Sequence, residues 1–203
     1  MNAAKSPSRR PGRPRDEAVR RRILSAARDL LEEVGFAQVT CEAIADCSGT
    51  SKTTIYRWWP NKAAVLLDAF VEAVSPELPA GYPDSLEEYM VSHLRQFTRV
   101  LMGRSGRLLA AILAAAQHDP DVEAALVSHW IGPRRARARR AMRRYQAEGQ
   151  LDASIDIDQA LDSVYGPLYF LLMVRHRKLT LAYADNLART LLAGFAPRTV
   201  PGS

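Results

Sequence analysis

No stretch of this chain alternates apolar and polar residues as a half-buried strand must, while apolar residues recur at helical spacing along most of its length. Val19, Ile23, Ala26, Ala27, Leu30, Leu31 and Val34 share one helix face, with Asp16 as the expected N-cap and Gly35 as the stop. Thr40 can cap a brief helix carrying Ile44 and Ala45. Ser48-Gly49-Thr50 breaks it, and Ser51 can cap a second short helix ending near Trp58. After Pro60-Asn61, a further helix turns Leu66, Phe70, Val71 and Val74 inward. Pro76, Pro79, Gly81 and Pro83 then fall within eight positions, the clearest boundary in the chain. Beyond it, Ser85-Leu86-Glu87-Glu88 has the pattern of a capping box opening a helix to about Met102. Leu108–Gln117 is apolar nearly all round, as in a helix buried on every side. Asp119-Pro120 opens a helix interrupted at Gly132-Pro133 and resumed to Gly149, and two more fit 157–176 and 181–195. The pattern predicts an all-α chain of about nine helices.

The 203 residues, 47 % apolar and 25 % charged, suit a globular chain of one or two domains. The longest uncharged apolar runs, Leu108–Ala116 and Val164–Val174, fall short of the roughly 18 residues that span a bilayer, so no membrane is expected. No basic start leads into an apolar stretch and cleavage site. Cys41 and Cys47 would point about 240° apart on one helix, poorly placed to bond. A cytoplasmic chain without disulfides is expected. Its net charge of +6 is unevenly placed: residues 1–62 carry 12 Lys and Arg against 7 Asp and Glu. Such a segment suits a polyanion, joined to a near-neutral body.

Residues 40–59 read as helix, tight glycine turn, helix. On the second helix Lys52, Thr53, Tyr56 and Arg57 fall within about 140° of one another, with Ile55 and Trp58 opposite. A helix entering the DNA major groove needs this division, with polar side chains toward bases and phosphates and apolar ones toward its neighbours. The N-terminal dipole favours phosphate at Ser51 and Lys52. In sequence, ILSAARDLLEEVGFAQVTCEAIADCSGTSKTTIYRWWPNKAAVLLDA resembles the DNA-binding domain of the tetracycline-repressor (TetR) family of transcriptional regulators. The helix-one Ala-Ala, the Gly-Phe before Val-Thr, the Gly-x-Ser-Lys and the Ile-Tyr-x-x-aromatic-Pro-x-Lys stand in family register. The resemblance implies phosphate contact at Thr40, base or backbone contacts at Lys52 and Thr53, and phosphate or thymine methyl at Tyr56. It also implies phosphate or guanine at Arg57 and backbone anchoring at Lys62. Two departures are Thr53, often glycine in the family, and Thr50, usually apolar.

The same resemblance implies a homodimer on a palindromic double-stranded operator. The last two helices would pair with their counterparts through some of Leu161, Tyr165, Leu168, Leu172, Leu187 and Leu191. Gly166-Pro167-Leu168-Tyr169 resembles one group of family C-terminal domains. Helices within 85–150 would enclose a small, largely hydrophobic effector, with Tyr89, His93, Phe97, Met102, Leu113, Gln117, Trp130 and Tyr169 as candidates. The expected domains are a basic arm (1–15), a DNA-binding unit (16–62), a connecting helix and linker (63–83) and an effector and dimerisation domain (84–203). Arg13 and Arg15, in Arg9-Arg10-Pro11-Gly12-Arg13-Pro14-Arg15, suit a narrow minor groove. The seven arginines between Arg134 and Arg144 read as a solvated face.

Three rival classes fit the sequence less well. An enzyme is disfavoured: the four histidines, at 93, 118, 129 and 176, form no metal-ligand spacing, and no phosphate loop or nucleophile elbow occurs. No catalytic residue, metal or cofactor is expected. An architectural protein reading A·T-rich shape through the arm is one alternative. A thiol-based redox sensor using Cys41, at a helix N-terminus, is the other.

Overall fold

A computed structural model describes residues 14–75 and 81–197, of which residues 14–16 are described as backbone alone. The described residues form α1 (Pro14–Val34), α2 (Cys41–Ser48), α3 (Lys52–Trp58), α4 (Lys62–Val74), α5 (Leu86–Met102) and α6 (Arg104–Ala116). There follow α7 (Pro120–Ala125), a π-helical turn (Leu126–Ile131), α8 (Gly132–Ala147), α9 (Ile157–Val174) and α10 (Leu181–Phe195). There is no strand among the described residues, and the unbroken run from α7 to α8 counted once gives nine helices.

Local chemistry sets most helix starts. Thr40 Oγ1 accepts the Ala43 N–H at 3.1 Å, Ser51 Oγ that of Thr54 at 3.2 Å and Ser85 Oγ that of Glu88 at 3.0 Å. Asn61, Asp119, Asp156 and Thr180 cap their helices in the same way, each such cap being worth about 1 kcal/mol. Gly49 ends α2 at φ 63°, a left-handed conformation that costs a side-chain-bearing residue more.

Four expectations need correction. α1 starts at Pro14, so Asp16 lies inside it; proline fits a first helical position, where its missing N–H has no partner to lose. α6 is buried on one face only, through Leu109, Ile112 and Ala116, because α5 and α7 cover it while Ala111 and Ala114 meet solvent. Gly132-Pro133 does not break the helix. A proline ring would strike the carbonyl four residues back in an α-helix, and the wider π turn, closed by Gly132 N–H on Val127 O, carries the chain past it. Trp58 is 38 % exposed and Trp59 only 2 %. α3 ends at Trp58, and the extended backbone at Trp59 swings the second ring into the core.

One core runs through the described residues, from Ile23, Leu31, Ile44 and Ile55 to Phe97, Trp130 and Tyr145. α4 crosses it, buried from Ala63 to Leu67 and packed on α1 one way and on α7 and the π turn the other. Gly106 makes the α5–α6 corner: a Cβ there would stand 1.9 Å from the Leu101 carbonyl oxygen.

Candidate functional site

The α2–α3 pair presents one polar face. Thr40, Ser51, Lys52, Thr53, Tyr56 and Arg57 are all exposed, while Ile55 is fully buried behind them. Trp58 joins the exposed side, which the helical wheel did not foresee. Lys52 Nζ donates to Glu42 Oε1 at 2.7 Å, tying the first turn of α3 to that of α2. This bond holds the Glu42 carboxyl below its ordinary range and the Lys52 ammonium above its own. Glu42 was missed, although an acid beside a cap residue was visible in the sequence. A hydrogen bond with Cys41 raises the Tyr56 phenol. The unusual Thr50 hydroxyl is satisfied locally, 2.8 Å from Ser48 Oγ, which in turn donates to Ala45 O. Lys62, half-buried at the start of α4, lies 5.7 Å from the Phe36 ring centroid. Arg13 lies outside the described residues. Arg15 belongs to the first turn of α1 rather than to an extended arm. Cys41 is buried and Cys47 exposed, and neither is in a disulfide.

A second site lies in the other half of the chain. A cavity of about 320 Å³ is lined by Tyr89, His93 and Phe97 of α5, His129 of the π turn, Arg134 and Arg137 of α8 and Tyr165 of α9. A neighbouring one of about 390 Å³ shares Phe97, Arg134 and Tyr165 and adds Tyr169. Trp130 is fully buried behind this wall, its Nε1 donating to the Tyr169 hydroxyl at 2.9 Å. Met102, Leu113 and Gln117 stand elsewhere, because α6 contributes nothing to either cavity and Met102 is exposed at the end of α5. Tyr165, expected between subunits, instead reaches His93 Nε2 at 2.8 Å. Burial, with Arg137 and Arg134 adding, pushes the His93 pKa down to about 4. Burial also raises the phenols of Tyr89, Tyr165 and Tyr169.

The arginine run on α8 is therefore divided. Arg135 pairs with Asp158 and Asp162, Arg139 with Asp158, and Arg144 with Glu148 and Asp84. Arg134 and Arg137 turn inward. The signal was present, since Trp130, Arg134, Arg137, Ala138, Ala141 and Tyr145 share one helical face with buried neighbours. Leu161, Leu168 and Leu172 are likewise buried within this chain, while Leu187 and Leu191 are half-buried against the same core. The outer side of α9 exposes Phe170, Met173 and Val174 instead.

Asp68 of α4 joins the two sites. Its Oδ2 accepts Trp59 Nε1–H at 2.8 Å and faces Arg20 of α1 at 3.4 Å, while its Oδ1 meets His129 Nδ1 at 2.5 Å. One carboxylate thus touches α1, the end of α3 and the wall of the cavity.

A three-helix unit with an exposed, basic second helix of a helix-turn-helix, fused to a helical domain that encloses a cavity, defines a helix-turn-helix transcriptional regulator. Residues 23–69 match the family described as bacterial regulatory proteins, tetR family, and residues 83–191 match the tetracyclin repressor-like C-terminal domain. The chain belongs to the tetR family. It is 34 % identical over 183 residues to the HTH-type transcriptional regulator YdeS of Bacillus subtilis strain 168, covering 90 % of this chain and 92 % of YdeS. The crystal structure of the TetR family transcription regulator SCO0332 superposes with a TM-score of 0.76 at 36 % identity, covering 88 % of this chain and 99 % of that one. The regulator UidR of Escherichia coli K12 is 28 % identical over 161 residues, covering 75 % of this chain and 81 % of UidR. These relatives are regulators of transcription, and no helix among the described residues is long and apolar enough to cross a membrane.

Proposed function

We propose that this regulator is a homodimeric repressor, released from a palindromic operator when a small molecule enters the cavity between α4, α5, α8 and α9. The observation that carries the reading is Asp68, which shares one carboxylate between the cavity wall at His129 and the helix-turn-helix at Trp59 and Arg20. Lys52, Thr53, Tyr56 and Arg57 read or anchor the major groove, with Thr40 and Lys62 on the backbone. Two copies must hold these faces about 34 Å apart to fill successive grooves. A ligand that prefers another spacing lowers DNA affinity by its differential affinity for the two states. Pairing through α9 and α10 would cover Phe170, Met173 and Val174, three large apolar side chains on one side of α9.

Selection of bound duplexes from a random DNA pool at moderate salt tests this. An enriched palindrome with half-sites one turn apart supports the dimer and the groove-reading face. Enrichment of A·T-rich sequence without symmetry would hand the function to the arginine-rich N-terminal arm and overturn the repressor reading.

A further inference from the structure

The cavity lining holds two arginines, Arg134 and Arg137, and no acid among the described residues, and the Asp68 carboxylate behind the wall is bonded to His129. Asp158 and Asp162 of α9, the latter lining the neighbouring cavity, pair with Arg135 and Arg139, and Asp84 before α5 and Glu148 after α8 pair with Arg144. Arg134 is held in place: its carbon Cζ lies 3.2 Å from the Trp130 ring centroid, and one terminal nitrogen donates to Trp130 O at 3.2 Å. Its Nε–H is buried with no acceptor. Burial lowers the pKa of this guanidinium to about 10, so it remains a cation at neutral pH. A desolvated cation with an unpaired donor is a costly arrangement that an anion would relieve. Tyr89, Phe97 and Tyr165 supply aromatic surface around it.

Resting on the effector reading above, we infer that the cavity selects an anionic aromatic ligand, its carboxylate or sulfonate paired with Arg134 and its rings among Tyr89, Phe97 and Tyr165. A planar guanidinium fixed by stacking is the side chain best suited to two-point capture of such a group. His93, neutral at physiological pH and bonded to Tyr165, adds no competing acid.

The probe is 8-anilinonaphthalene-1-sulfonate, followed by fluorescence on the full chain, with 2-naphthoate and its uncharged isostere 2-naphthamide as competitors. The expected result is displacement by 2-naphthoate at concentrations at least tenfold below 2-naphthamide, and loss of that difference in Arg134→Gln. Arg140→Gln, on the exposed side of α8, should behave as wild type. Equal competition by acid and amide on the wild-type chain would overturn the inference without recourse to any variant. So would an acid preference that survives in Arg134→Gln, since the anion would then be held by another group, at the surface if it disappears in Arg140→Gln. Fluorescence anisotropy of the selected operator separates the two proposals. An acid bound through Arg134 that leaves DNA affinity unchanged sustains the anion site and sinks the release mechanism.

Discussion

Replacing Asp68 with alanine removes the acceptor on which three elements converge. The Trp59 indole is 2 % exposed, so its Nε1–H would be left without a partner, at a cost of about 1–3 kcal/mol. The Arg20 pair is long at 3.4 Å and partly exposed, and adds no more than about 1 kcal/mol. Loss of the His129 contact adds a comparable amount, for a total of about 1–5 kcal/mol, centred near 3. For a chain of this size each kcal/mol shifts the midpoint by roughly 2–4 °C, so Asp68→Ala should melt about 10 °C lower. Asp68→Asn keeps one acceptor oxygen and sets an amide N–H against a second donor, so it should lie between the two. Thermal unfolding followed by circular dichroism reads both variants, and operator anisotropy at 20 °C reads the folded remainder. A midpoint for Asp68→Ala within about 2 °C of wild type would refute the reasoning, because the indole N–H would then have found another acceptor.

Lys52→Ala and Tyr56→Ala should each weaken operator binding about tenfold while leaving the melting midpoint unchanged, since both side chains are exposed; unaltered anisotropy curves for both would remove α3 from the groove. His93 takes up a proton at about 4 in the folded chain against 6.5 ordinarily, so the unfolded chain binds the proton first. Stability from this group is complete above about pH 6.5 and declines as pH falls toward 4, and urea midpoints of His93→Gln should show a shallower decline over that window. If the proposed dimer pairs through α9, Phe170→Glu should shift it toward monomer in sedimentation at micromolar concentration, whereas Leu168→Ala, at a fully buried position, should cost about 2–5 kcal/mol of stability instead. Gly106→Ala should destabilise by about 3 kcal/mol, measured by urea unfolding, because a methyl group has no room beside the Leu101 carbonyl.

The features legible in the sequence are those decided within a few residues. Thr40, Ser51, Ser85 and Asp119 were readable as caps because a cap bonds its own next turn, and the polar face of α3 was readable because seven residues fix their own wheel. What failed depended on which neighbour each face meets. Leu161 and Leu168 and the exposed Phe170 carry the same apolar signature, and only the packing of α9 decides which point inward. Met102 and Leu113 looked as suitable for a cavity as Phe97 did, yet Met102 meets solvent at the end of α5 and the α6 that carries Leu113 lies outside it. Arg134 was hidden by its company: six neighbouring arginines suggested solvent, while the stripe joining it to Trp130 and Tyr145 ran across the charge pattern. Asp68 had no local signal at all, because its partners stand 9, 48 and 61 positions away.

The wide turn at 126–131 holds one residue more than a regular turn would. Everything after it is therefore rotated by roughly 100° from where an uninterrupted α-helix would carry it. His129 sits within that turn, and Arg134 and Arg137 follow it. The surplus residue works as a gear between two fixed faces, one meshed with α4 and the other with the chamber wall. Removing it would turn both guanidiniums away from the aromatic rings while leaving α3 as it stands. A lineage that lost or gained a single residue here would change what the chamber admits and keep the DNA sequence that it reads.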